Sequence, residues 1–279
     1  MLERIIYYFS AYPTVRYATV ALVLISVSAA LLGVTLVLRR FSMIGDGLSH
    51  VTFGAASVAT VMGLTTPIYI SLPITVLAAV LLLKIPKSSR VGGDAAVACV
   101  SAGSLAFGYL ILSLFPTPEG FASDACANLF GQGILSISRL DVILCIILGS
   151  VLLAFFILFY NRIFAVTFDP DFACATGTRV SLYNTLIAII TGVVTVVAME
   201  LVGALLIAAL IIFPALSAMR IFKSFRAVAI AGAVMSVICS VLGIFISLLM
   251  STPVGSTVVC VDVVAFALCY VVGRVRGRF

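Results

Sequence analysis

One histidine occurs in the whole chain, His50, and it stands four residues after Asp46 in the stretch RRFSMIGDGLSHVTFGAA, residues 39–56. On an α-helix, positions i and i+4 share a face, so the carboxylate and the imidazole can reach one point. The pair lies inside apolar sequence, where an acid and an imidazole are costly and mark an ion path or a binding site. A carboxylate oxygen with an imidazole nitrogen suits Zn²⁺, Mn²⁺ or Fe²⁺, and thiolate chemistry is not implied. Two ligands do not complete a site, so water, a third side chain or a second copy must contribute. The competing reading is that Asp46 and His50 only hydrogen-bond each other and neighbouring helices.

Counted as helix from Arg40, a rise of about 1.5 Å per residue puts Asp46 roughly 9 Å and His50 roughly 15 Å along the axis. In a hydrocarbon core about 30 Å thick, that places His50 near the midplane. Gly45 and Gly47 flank Asp46 and favour a local break or a close backbone approach.

The remaining acids are weaker candidates. Glu200 falls at an expected outer hairpin, where a solvated turn residue is the simpler reading. Asp262 lies one to two turns into the last apolar run, facing a cavity or packing between helices. Glu119 and Asp124 belong to an outer mouth or a solvated loop.

The elements that must position these residues are set by composition. The 279 residues are 63% hydrophobic and 9% charged, with a mean hydropathy of +1.33. A soluble protein needs a polar exterior that this chain cannot provide. Runs long enough for helical spans of about 20 residues, too long for barrel strands, predict an all-α polytopic membrane protein. The expected spans are 17–38, 43–64, 68–83, 95–115, 142–160, two within 182–219, then 227–250 and 256–272. The 182–219 block, broken only by Glu200, reads as a tight hairpin near that residue. Residues 1–13 form a mildly amphipathic lead that suits the membrane surface. The count is nine, or eight if the first two segments make one bent or re-entrant unit, and residues 1–279 read as one transmembrane domain.

The net charge of +6 comes from short basic clusters between apolar runs, which argues for topology signals and against nucleic acid. Arg39–Arg40, Lys84–Arg90, Arg162–Arg179, Arg220–Arg226 and the C-terminus then face the cytoplasm. The 116–138 interval, the Glu200 hairpin and the Pro253 turn face outward. No cleavable signal peptide is expected, since the first apolar run is too long for one. The seven cysteines contain no Cys-x-x-Cys pair and read as small buried hydrophobes.

A second informative stretch is FDPDFACATG, residues 168–177. Asp169 suits an N-cap, Pro170 the first helical position and Gly177 the C-terminal stop, which predicts about two turns of cytoplasmic helix. Phe168 and Phe172 would be its apolar knobs, with Asp171 between them. No phosphate-binding loop of the G-x-x-x-x-G-K-S/T type occurs, so the chain is no P-loop ATPase.

These stretches together resemble the permease subunits of ABC importers for zinc and manganese, of the ZnuB and MntB kind. The match rests on the 39–57 segment, Leu129–Phe130–Gly131, residues 168–177, Val202–Leu206 leading into Ala209–Ala215, and Thr252–Gly255. The resemblance implies a non-catalytic membrane subunit in the cell membrane of a prokaryote. It implies a separate ABC ATP-binding subunit docked on a coupling helix at 169–177, an extracytoplasmic metal-binding protein, and a second permease, copy or paralogue. It places Asp46 and His50 in the metal pathway, with Zn, Mn or Fe as transported substrate and no permanently bound cofactor. The histidine-rich loop of some zinc systems is absent. Two other functions remain open on the residues: a proton- or sodium-coupled secondary carrier with Asp46 and His50 as relay, and an ABC permease for a metal chelate or siderophore.

Overall fold

Long apolar runs in lipid must pair their own backbone groups, and helices do so within each segment. The computed structural model describes residues 13–64, 66–84, 93–115 and 138–275, and among them there is helix and no strand. In chain order the helices are α1 (Pro13–Leu38), α2 (Ile44–Val61), α3 (Ile68–Leu83), α4 (Gly93–Leu114), α5 (Arg139–Leu158), α6 (Tyr160–Phe168), α7 (Pro170–Ala175), α8 (Val180–Val202), α9 (Ala204–Ile221), α10 (Phe225–Met250) and α11 (Val254–Val275). All nine expected spans appear as helices. Seven are long and apolar enough to cross a membrane by length and composition; α2 and the shorter α3 are the two outside that set. The amphipathic lead, Glu119, Asp124, Leu129–Gly131, Lys87 and Arg90 lie outside the described residues.

Helix α1 is the central post. It packs against α5, α8, α9 and α10, and its Leu22, Leu32 and Leu36 are fully enclosed. Gly33 sets the closest approach: a Cβ there would collide with the backbone carbonyl of Ile211 on α9. Small residues at crossings let backbones approach where lipid gives helices no hydrophobic reason to associate. Polar groups then tie the crossings, as when the Ser236 hydroxyl on α10 donates to the Ser26 carbonyl on α1 at 3.0 Å. Outward faces carry exposed Leu110, Ile147 and Leu268, which in a bilayer meet acyl chains.

The 182–219 block breaks at Gly203, three residues beyond Glu200, where φ is +91°. Glu200 lies in the last turn of α8 and the turn itself is Gly203, so α8 and α9 are joined through one residue close to the expected position. The two helices touch each other, but α8 packs mainly on α3, and α9 on α1 and α11. At the far end of α10, Ser251 takes a left-handed conformation ahead of Pro253, which stops the helix where expected.

Candidate functional site

The site starts at the turn between α1 and α2. Leu38 ends α1, Arg40 adopts φ of +64°, and α2 begins at Ile44. Because helix restarts at Ile44, the rise to His50 along α2 is about 9 Å, shorter than the roughly 15 Å counted for unbroken helix from Arg40. Asp46 sits in the first turn of α2, where the exposed N–H groups favour a carboxylate. The start of the helix is held from outside it: the Met43 N–H donates to Asp94 Oδ1 in the first turn of α4, at 3.4 Å.

The glycines around Asp46 make no break within α2. They let neighbours close in. A Cβ on Gly45 would come within 2.8 Å of Ile211 Cδ1 on α9, and one on Gly47 would collide with Val97 on α4. Further along, a Cβ on Gly54 would meet the Ser104 carbonyl of α4 at 2.7 Å. On the α3 side, the hydroxyls of Thr52 and Thr75 share a hydrogen bond of 3.0 Å. Helix α2 is thus clamped by α3, α4 and α9, which fixes the direction of its polar side chains.

His50 Nε2 stands 3.5 Å from Asp46 Oδ1, with the His50 side chain 17% exposed and that of Asp46 43% exposed. That separation is longer than a good N–H···O bond. It is close to the edge of a tetrahedral metal site, where two donors bound at about 2.1 Å stand roughly 3.4 Å apart. His50 Nδ1 is buried and has no hydrogen-bond partner among the described residues. The imidazole therefore retains hydrogen-bonding capacity that a ligand or water can use. Among the described residues no group of three or more His, Cys, Asp or Glu side chains converges. The pair alone offers two donors, fewer than a metal ion takes.

The two weaker acids lie apart. Asp262 is buried on α11, its Oδ2 without a partner among the described residues, and α11 packs on α9 and α10. Glu200 is exposed at the end of α8, near enough to Asp141 for the carboxylates to repel each other. Asp141 opens α5 in a reciprocal cap with Ser138.

The 168–177 segment forms as its residue types require. Asp169 Oδ1 accepts from the Phe172 N–H at 2.9 Å, Pro170 occupies the first turn, and Gly177 takes φ of +80° beyond the end. The helix α7 is six residues, close to the two turns expected. The two aromatics differ in what they touch. Phe168, the last residue of α6, is 52% exposed yet packs on Phe164 at 4.9 Å and on Phe225 at 6.0 Å between ring centroids; Phe172 on α7 is 62% exposed, with Asp171 and Cys174 also at the surface.

Arg39 is a functional candidate that reading it as a topology charge overlooks. It is 8% exposed, and its guanidinium donates to the Val166 carbonyl on α6 at 3.2 Å. That carbonyl would normally accept from the N–H four residues on, which is Pro170 and has none. Arg39 supplies the missing donor. Burial lowers its pKa to about 10, so it stays charged at neutral pH. The proline at 170, read for its cap role alone, was the available signal for this bond.

Comparison with known proteins follows this architecture over nearly its full length. The manganese transport system membrane protein MntC of Halalkalibacterium halodurans is 28% identical over 268 residues, covering 96% of this chain and 90% of that protein. The manganese import system permease protein ScaB of Streptococcus gordonii is 28% identical over 253 residues, covering 91% of this chain and 89% of that protein. The structure of PsaBC from Streptococcus pneumoniae in complex with Fab superposes with a TM-score of 0.82 at 25% identity, covering 97% of this chain and 95% of that one. The model of the ABC 3 transport family matches residues 11–273, and the chain belongs to that family.

Proposed function

We propose that this multi-pass chain is the membrane-spanning permease subunit of an ATP-driven importer for a divalent transition metal ion. The observation that carries the site is the 3.5 Å separation of His50 Nε2 and Asp46 Oδ1, with Nδ1 unpartnered among the described residues. A neutral imidazole and a carboxylate reduce a divalent charge while offering borderline ligands, which suits Mn²⁺, Zn²⁺ and Fe²⁺ alike. The names carried by the similar MntC and ScaB proteins favour manganese within that class.

The chain performs no hydrolysis itself; a separate ATP-binding subunit does so. Its docking surface is α7, where Phe172 is the exposed apolar knob and Asp169, Pro170 and Gly177 set the helix ends. Closure of the ATPase pair moves α7 and α6, and Arg39 carries that displacement to the turn that starts α2. Asp46 and His50 lie within the next two turns, so the pathway opens to one side or the other with the nucleotide state. An extracytoplasmic metal-binding protein delivers the ion. A second permease, copy or paralogue, stands beside α2 and completes the coordination that two ligands leave open. Residues 1–279 act as one transmembrane domain.

The test is ATP-dependent accumulation of Mn²⁺, Zn²⁺ or Fe²⁺ by proteoliposomes containing the permease, its copurified ATPase and the delivery protein. Accumulation that needs ATP and all three components supports the reading. Accumulation driven by a proton or sodium gradient without ATP would replace it with a secondary carrier.

A further inference from the structure

A groove of about 650 Å³ opens between α1, α5 and α10, on the flank where none of the metal-site residues lie. Its walls are apolar, including Val27 of α1, Leu153 of α5, and Ile230 and Val234 of α10. Polar groups gather at one end only, where Arg226 at the start of α10 meets Asn161 at the start of α6. Both are exposed, and among the described residues no carboxylate pairs with Arg226. That end carries the Arg220–Arg226 and Arg162 basic clusters, which mark the cytoplasmic interface.

From Arg226 to Val234 the helical rise is about 12 Å, most of one leaflet of a core about 30 Å thick. An apolar slot one leaflet deep, closed at the interface by a cation and an amide, has the polarity of a phospholipid: acyl chain inward, phosphate outward. Basic pockets between transmembrane helices on the cytoplasmic side bind anionic head groups. We propose that this groove is a binding site for an anionic phospholipid of the cytoplasmic leaflet, with its phosphate on Arg226 and Asn161.

The alternative occupant, a second permease, is disfavoured by where the metal pair lies. Helix α2 packs on α3, α4, α8 and α9, whereas the groove is built from α1, α5 and α10. A second copy that completes the Asp46–His50 site must approach α2, which leaves the groove to lipid. The side on which the groove sits rests on the topology above and does not depend on which ion is carried.

The test uses the full-length protein, purified in detergent and offered phosphatidylcholine micelles with and without phosphatidylglycerol, with bound lipid counted by native mass spectrometry. Removing one cation at a membrane surface weakens anionic lipid binding about fivefold. Arg226→Gln should therefore lower retained phosphatidylglycerol by that factor and leave phosphatidylcholine unchanged. Ala233→Trp, which fills the groove, should lower both. Wild-type preference for phosphatidylglycerol in Arg226→Gln would overturn the proposal. So would efficient cross-linking between two copies through cysteines placed at Ile230, since that would show protein in the groove. Because Arg226→Gln lies on the surface, its folding is checked by an unchanged thermal unfolding transition, and it decides the question even if Ala233→Trp misfolds.

Discussion

Arg39 and Val166 join two segments distant in sequence: the guanidinium of one donates to the backbone carbonyl of the other, at 3.2 Å. The bond replaces one that Pro170 cannot make. It ties the turn before Asp46 to α6, the helix before the segment proposed to dock the ATPase, within one buried contact.

Arg39→Met keeps most of the side chain's volume and removes the donor. A buried carbonyl left unpaired costs about 1–3 kcal/mol, so thermal unfolding should move down while the chain still inserts. The larger effect is expected on coupling. ATP hydrolysis by the reconstituted complex should persist while metal uptake per ATP falls several-fold. An unchanged uptake-to-hydrolysis ratio would reduce Arg39 to a structural tie.

Phe172→Asp charges the exposed knob of α7 without touching the Phe164–Phe168–Phe225 aromatic cluster. ATPase copurification should drop sharply, with the membrane fold intact by circular dichroism. Phe168→Ala should instead loosen α6 against α10 and lower stability first. Equal loss of ATPase binding in both variants would contradict the division of roles between these two aromatics.

The fold was legible in the sequence wherever periodicity and length decide it. Each apolar run became a helix, and the caps at Asp169 and the stop before Pro253 formed where their residue types require. Features that depend on tertiary approach were not legible. Gly45 and Gly47 allow either a break or close packing, and only the position of Ile211 and Val97 selects packing. Glu200 looked like a turn because it interrupts an apolar block, yet the positive φ fell to Gly203, which adopts it without steric cost. Arg39 looked like its exposed neighbour Arg40, since two adjacent arginines carry no sequence mark of which one is buried. Asp94 capping α2 from α4 is a contact between helices that no local pattern encodes.

Gly47→Ala tests the packing directly. The added Cβ collides with Val97, so α2 must shift from α4 or the two helices must strain, at a cost of about 1–3 kcal/mol for overpacking. Reduced thermal stability is expected, and pairing it with Val97→Ala should restore most of the loss. Failure of the second substitution to rescue would mean that Gly47 is needed for something other than that contact.

Topology is checked at Cys174, which is exposed on the α7 face. In a variant that keeps Cys174 as its single cysteine, a membrane-impermeant thiol reagent should label it in inverted vesicles and miss it in intact cells. Strong labelling of that variant from outside would reverse the placement of the basic clusters and of the lipid groove with them.

The central claim is that Asp46 and His50 act together on the translocated ion. Asp46→Asn keeps size and hydrogen bonding but removes the charge that offsets a divalent cation. His50→Gln keeps a polar group but loses the imidazole nitrogen. The direct measurement is ATP-dependent metal uptake by proteoliposomes of the wild type and each variant, with assembly verified by ATPase copurification. Uptake should fall at least tenfold, about 1.4 kcal/mol of lost stabilisation, in each variant, and the double variant should be little worse than either single one. Near-normal uptake by both single variants in assembled complexes would contradict the account.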